Sequence, residues 1–280
     1  MMDEKLFDQV SHVAQQAALA AGALLRLNYE KPHDITLKGV IDPVTESDFA
    51  SQKTIIRLIR QTFPDHGILA EEVMDGEQNA GEGAAAKAPA PQETSPVINR
   101  WIIDPLDGTV NFAHGFPMFC VSIAFEAAGM VEYGVVYDPL REELFEARRG
   151  GGAWVNGRPL EVSRVDKLER GLLATGFPYD IRERLPKTLA RMGRAMAASQ
   201  GLRRAGSAAL DLSYVAAGRL DGFFEENLKP WDTAAGMLLV LEAGGRISTF
   251  DGGPYDISAP NILASNGLLH FDLLALLAEK

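Results

Sequence analysis

Trp101-Ile102-Ile103-Asp104-Pro105-Leu106-Asp107-Gly108-Thr109 reads as an apolar strand that runs straight into two carboxylates, a glycine and a hydroxyl. Three consecutive large apolar residues suit a strand covered on both faces. Asp104 and Asp107, three apart, are expected on a turn that Pro105 helps to fix, followed by a short helix. Both carboxylates and the Leu106 carbonyl could then face one point, with the Gly108 and Thr109 amides beside them to hold an anion. Hard oxygen ligands of this kind suit Mg²⁺, which keeps several waters and is usually shared with a substrate phosphate.

Upstream, Leu6, Val10, Val13, Ala17, Ala20, Leu24 and Leu27 recur at helical spacing and predict a helix from Glu4 to Tyr29. Thr45-Glu46-Ser47-Asp48 has the form of a capping box and opens a second helix that Pro64-Asp65-His66-Gly67 stops. Ile68-Leu69-Ala70 reads as a strand ending in Glu71-Glu72. Residues 75 to 97 are mostly Ala, Gly, Pro and polar, without periodicity, and predict a mobile surface loop.

Downstream, Phe119 to Glu126 and Val131 to Tyr137 predict a hairpin, with a further strand at Glu143 to Ala147. Strands are then expected at Leu172 to Thr175, Gly222 to Glu225 and Arg246 to Phe250. Helices are expected at Pro186 to Ser199, Ser207 to Ala217, Asp232 to Glu242 and Leu268 to Leu277. This interleaving predicts a layered α/β (α+β) protein with two sheets. We place an N-terminal part at 1–150, carrying the acid-bearing strands, and a C-terminal α/β part at 151–280 that completes the site.

The 280 residues include 27 Lys+Arg against 38 Asp+Glu, a net charge of −11. Such a field disfavours nucleic acid and anionic lipid. The single cysteine, Cys120, sits in an apolar run and reads as a small buried hydrophobe, and with no apolar stretch of membrane-spanning length a cytoplasmic protein is expected. No Gly-x-Gly-x-x-Gly, P-loop or Gly-x-Ser-x-Gly pattern occurs, and His12, His33, His66, His114 and His270 lack metal-ligand spacing.

Carboxylates remain as the chemistry. Asp-Gly occurs at Asp75, Asp107, Asp221 and Asp251, and Asp-Pro at Asp42, Asp104 and Asp138, and most such pairs are only turns. Asp48 doubles as a capping acid, Glu71 as a strand end and Asp232 as a helix N-cap. Together, however, acids at the ends of separate elements would leave too much negative charge unpaired without cations.

The segment Trp101 to Phe112 resembles the first signature of the inositol monophosphatase family, and Trp231 to Gly245 its second. Asp42 to Asp48, Ala70-Glu71-Glu72, Arg204 to Ala209 and Phe223-Phe224-Glu225 extend the match. The loop at 75–97 is longer than the family usually carries, and Glu226-Asn227 stand where relatives often have an apolar residue and a glycine. The resemblance implies an αβαβα sandwich of the fructose-1,6-bisphosphatase type, Mg²⁺ dependence, lithium sensitivity and a homodimer.

By the same resemblance, Glu71, Asp104 and the Leu106 carbonyl would hold one Mg²⁺, and Asp104, Asp107 and Asp232 a second. Asp48 would lie beside a third, weaker ion or further out. Glu71 and Thr109 would position and deprotonate the attacking water, with Asp48 in support. Asp107, Gly108, Thr109, Ser207, Ala208, Glu225 and Asp232 would contact a small phosphorylated polyol. The implied activity is hydrolysis of inositol 1-phosphate or a similar ester. Rival activities are fructose-1,6-bisphosphatase, histidinol-phosphatase and 3′-phosphoadenosine phosphatase. Bisphosphates would need a second anion site, for which Arg203, Arg204 and Lys229 are the basic candidates. A rival of another class is a regulatory protein that binds the transcription or RNA-processing machinery.

Overall fold

The computed structural model describes residues 3–33, 35–37, 43–72, 99–178 and 180–278. The stretch at 75–97 and Asp42, the first residue of the block Asp42 to Asp48, therefore lie outside the described residues.

The chain begins with α1 (Glu4–Asn28), a two-stranded ribbon β1 (Ile35–Leu37) and β2 (Pro43–Thr45), α2 (Glu46–Thr62), β3 (Gly67–Ala70) and β4 (Asn99–Asp107). Then come α3 (Thr109–Ala113), β5 (Cys120–Ala127), β6 (Met130–Asp138), β7 (Glu143–Arg148), β8 (Gly152–Val155) and β9 (Arg158–Pro159). After a 3₁₀ turn at Leu168–Arg170 follow β10 (Leu172–Thr175), α4 (Ile181–Ala198), β11 (Gly201–Arg203), α5 (Ala208–Ala216) and β12 (Gly222–Glu226). The chain closes with α6 (Pro230–Glu242), β13 (Arg246–Ser248), β14 (Asn261–Ser265) and α7 (His270–Leu277).

The apolar residues sort these elements into five layers, αβαβα. Strands β3 to β9 form a seven-stranded sheet in sequence order, antiparallel except for the parallel β3 and β4. Residues alternate along β4: Trp101 and Ile103 pack with Val10, Ala14, Ile55 and Ile59 of α1 and α2, whereas Ile102 points the other way. That second face packs on Ala209, Leu212, Leu238 and Val240 of α5 and α6. The same helix pair covers one face of a five-stranded sheet, ordered β11-β10-β12-β14-β13, through Phe223 and Ile262. On its far side Leu173, Phe224 and Leu263 meet Ala195 of α4 and Leu273 and Leu276 of α7. Fully buried side chains such as Ile103 and Phe125 each stabilise this stack by about 1.5–3 kcal/mol.

Three departures from the sequence reading matter. Asp104 to Asp107 lie on the end of β4 rather than on a turn, because pairing with β5 continues past Asp104. Helix α4 starts at Ile181, five residues before Pro186, since Asp180 holds a first turn that the proline would not signal, accepting hydrogen bonds from Arg184 within that turn and from Asn227 after β12. The sequence reading also lacks strands β1, β2, β8, β9, β11 and β14. The inner strand β14 is a five-residue, mostly buried run that periodicity alone does not distinguish from helix.

Candidate active site

The bulge in β4 explains why two acids three residues apart share a face. In a regular strand, residues i and i+3 point to opposite sides. Opposite β5, however, Asp104 pairs with Ser122 and Asp107 with Cys120, so β4 carries one extra residue between them. That residue rotates Asp107 back to the side of Asp104. Pro105 is tolerated there, and its carbonyl accepts a 2.7 Å hydrogen bond from Ser51 Oγ of α2. Gly108 follows with φ +98°, and a Cβ there would stand 2.8 Å from the Met118 carbonyl, so only glycine allows the chain to turn into α3.

Helix starts surround these carboxylates. The pocket, about 770 Å³ and open to solvent, is lined by Glu71 just after β3, by Asp104, Leu106 and Asp107 of β4, and by Gly108 and Thr109 at the start of α3. Ser207 and Ala208 at the start of α5, Glu225 near the end of β12 and Asp232 in the first turn of α6 complete it. Every residue proposed for the site therefore borders one space except Asp48.

Asp48 is fully buried behind the wall, where it closes the capping box: its Oδ2 accepts from the Thr45 amide at 2.8 Å and from Thr45 Oγ1 at 2.6 Å. Its Oδ1 lies 3.1 Å from Thr109 Oγ1, which also stands 3.0 Å from the Leu106 carbonyl. The capping and the site readings of Asp48 are thus compatible, because one oxygen serves each.

Hydrogen-bond donors hold the three aspartates. Asp107 Oδ2 accepts from Ser207 Oγ at 2.6 Å and from the Ala209 amide at 2.8 Å. Asp104 accepts from the Leu106 amide at 3.0 Å, and Asp232 from the Lys229 amide at 2.7 Å. Burial pushes the Asp104 carboxyl well up, helped by Glu71, Asp107 and Asp232. Burial also raises Asp107, against the pull of Ser207 and the α5 amides, and raises Asp232, with Asp107 adding to it. Desolvation brings Asp48 to about 6 and Glu225 to about 8.

Among the described residues, no three His, Cys, Asp or Glu side chains stand as a finished metal cage, and Arg204 is the one basic residue on the pocket wall. The donor set nevertheless fits a hard divalent cation. Its oxygens share one opening, Asp104, Asp107 and Asp232 have no ion-pair partner among the described residues, and oxygen-only coordination completed by water is what Mg²⁺ takes.

Several residues that shape the site were not singled out in the sequence. Gln52 of α2 clamps the strand end that bears the glutamates: its Nε2 donates to the Glu72 carbonyl at 2.7 Å and its Oε1 accepts from the Glu72 amide at 3.0 Å. Asn111 donates to the Met118 and Ala205 carbonyls at 2.6 and 2.9 Å, joining α3 to the approach to α5. Asp211, one turn after Ser207 and Ala208, also lines the pocket. Spacing of three and four on α5 was the available signal for it. Arg203 is exposed elsewhere, and Lys229 borders a separate shallow recess with Asp180 and Asn227. Cys120 is fully buried, its Sγ 3.8 Å from Asp107 Oδ2, consistent with a small packed side chain.

Comparison with known proteins agrees with this architecture. Inositol-1-monophosphatase of Synechocystis sp. is 43% identical over 267 residues, 95% of this chain and 88% of that protein. Nus factor SuhB of Escherichia coli (strain K12) is 45% identical over 257 residues, 91% of this chain and 90% of that one. The crystal structure of extragenic suppressor protein suhB from Bartonella henselae superposes with a TM-score of 0.87 at 40% identity, covering 97% of this chain and 99% of that one. The inositol monophosphatase family pattern matches residues 7–280, and with the layer order and the acid-lined pocket it establishes that this chain belongs to that family.

Proposed function

We propose that this phosphatase-family chain is a Mg²⁺-dependent phosphomonoesterase acting on inositol 1-phosphate or a similar small polyol phosphate. One observation carries the reading: the carboxyls of buried Asp104 and Asp107 and of half-buried Asp232 share a pocket with amide-rich helix starts and have no ion-pair partner among the described residues. Glu71, Asp104 and the Leu106 carbonyl would hold one ion, and Asp104, Asp107 and Asp232 another, with Asp48 further back. When bound, Mg²⁺ would supply neutralising charge and Lewis acidity toward a phosphoryl oxygen and a water.

The chain's own groups do the rest. Thr109 Oγ1, placed between Asp48 and the Leu106 carbonyl, orients the attacking water, and Glu71 accepts its proton. The water oxygen bonds to phosphorus while the ester P–O bond breaks in line, and the leaving alkoxide takes up a proton to become the free polyol. No covalent phosphoenzyme is required. The Gly108 and Thr109 amides, at a helix start with no carbonyl of their own helix to pair with, face the phosphoryl oxygens where charge accumulates. Ser207 holds Asp107 in place, and Ala208, Glu225, Asp107 and Asp232 take polyol hydroxyls.

The test is phosphate release from inositol 1-phosphate with and without Mg²⁺. Release that depends on millimolar Mg²⁺ supports the reading, and none above background at any Mg²⁺ level refutes it. Lithium sensitivity is read in the same assay. A homodimer rests on family membership and is checked by light scattering. A cytoplasmic location rests on the lone buried cysteine, and no helix among the described residues is long and apolar enough to cross a membrane. The similarity to Nus factor SuhB supports a second role in binding the transcription machinery, which a pull-down with wild type and Asp107→Asn would probe.

A further inference from the structure

The wall of the pocket contributed by α5 and β12 holds two carboxyl groups that have no hydrogen-bond partner among the described residues. Asp211 is 2% exposed and Glu225 8% exposed, yet both line the cavity, and neither accepts a hydrogen bond from any described residue. Leaving such groups unsatisfied costs about 1–3 kcal/mol each. A fold tolerates that where a ligand supplies the missing partners.

Asp211 lies one turn beyond Ser207 and Ala208, so it extends the same face of α5 deeper into the pocket. Near both acids, but outside ion-pair distance, stands Arg204. Its guanidinium lies 4.8 Å from the centre of the Phe177 ring. It also passes over Gly206, where a Cβ would come within 2.5 Å of Nη1. Gly206 has φ +89°, so both its conformation and the space it leaves serve this placement.

The chemistry of this corner selects its ligand. A second phosphate would meet two acids and a single guanidinium, and an ammonium group would meet Arg204. A hydroxyl fits both carboxyls, because it donates to an ionised acid and accepts from a protonated one. We propose that Asp211 is a specificity-determining residue of this pocket, taking one hydroxyl of a polyol monophosphate beside the hydroxyl taken by Glu225. This rests on the phosphomonoesterase reading above, and it excludes bisphosphates as preferred substrates.

The test compares wild type and Asp211→Asn on inositol 1-phosphate and on p-nitrophenyl phosphate, whose leaving group bears no such hydroxyl. The expected result is a KM about tenfold higher for inositol 1-phosphate with kcat within twofold, and p-nitrophenyl phosphate kinetics within twofold of wild type. Equal losses on both esters, or no change on either, overturn the proposal. If wild type hydrolyses neither ester, the phosphatase reading fails, and the subsite is judged by thermal unfolding with free myo-inositol at millimolar concentration. There a rise in Tm for wild type that Asp211→Asn lacks supports the subsite, and equal behaviour overturns it. Asp211→Ser serves if the amide variant does not fold. An Asp211 that neither substitution can replace is a structural acid, which also ends the proposal.

Discussion

Asp104-Pro105 and Asp138-Pro139 are nearly the same signal in sequence, and both fall at the end of a strand of the seven-stranded sheet. Their fates differ. Asp138 accepts from the Leu140 and Arg141 amides at 3.0 Å each, and pairs with the Arg141 guanidinium at 2.9 Å. It is a buried turn acid whose charge is met locally. Asp104 also receives one amide, but what faces it across the pocket is Glu71, Asp107 and Asp232. A carboxylate becomes a candidate reactive group where the fold withholds its counter-charge, and a structural one where a neighbouring arginine supplies it.

That contrast is exposed to direct tests. The largest effect is expected from Asp107→Asn: turnover of inositol 1-phosphate in Mg²⁺ should fall by about three orders of magnitude or more, the scale on which a group in a charge-stabilising site acts, with the circular dichroism spectrum unchanged. Asp138→Asn should keep activity within about twofold. Near-wild-type rates for the first variant, or a collapse for the second, would break the comparison.

Next comes Ser207→Ala, which removes the 2.6 Å donor from Asp107. Losing a group that orients a ligand should raise the Mg²⁺ concentration for half-maximal rate by about tenfold. An unchanged Mg²⁺ titration would show that the amides of α5 suffice.

Stability should move in opposite directions at the two sites. In metal-free buffer at pH 7.5, Asp104→Asn relieves repulsion, for an expected gain of about 1 kcal/mol or a Tm rise of about 2–4 °C. Asp138→Asn strips Arg141 of its partner and should lower Tm by about 2–6 °C. Millimolar Mg²⁺ should raise the wild-type Tm and leave that of Asp104→Asn nearly unmoved. Shifts of the same sign in the two variants would remove the distinction between them.

A further effect is in pH dependence. Burial raises Glu225 from 4.5 to about 8 and Asp48 from 3.8 to about 6. Between those limits the unfolded chain has released protons that the folded chain still holds. Metal-free stability is therefore greatest near pH 4 and declines as pH rises toward 6 and 8. Glu225→Gln should flatten the decline between pH 5 and 8 by about 1 kcal/mol per pH unit, read from denaturant melts at each pH. An unaltered slope would mean that Glu225 is solvated.

Much of this was legible along the chain. The apolar spacing of α1, the capping box of α2 and the hairpin of β5 and β6 are local signals, written by neighbours in sequence, and they held to within a residue or two. The acids could be enumerated in the same way. Less legible were α4, whose first turn is held by Asn227 from across the pocket rim, and Asp211, whose importance depends on a cavity.

The sequence by itself determined most of the helices and strands, their interleaving into two sheets and the supply of carboxylates, because hydrophobic periodicity and helix caps act over a few residues. Only the tertiary structure decided which carboxylates meet. The one-residue bulge that turns Asp107 toward Asp104 and the convergence of Glu71, Asp107 and Asp232 on Asp104, with no arginine in ion-pair reach of it among the described residues, are matters of register and distance between segments far apart in the chain. Charge compensation is a property of space, and no local pattern of residues encodes it.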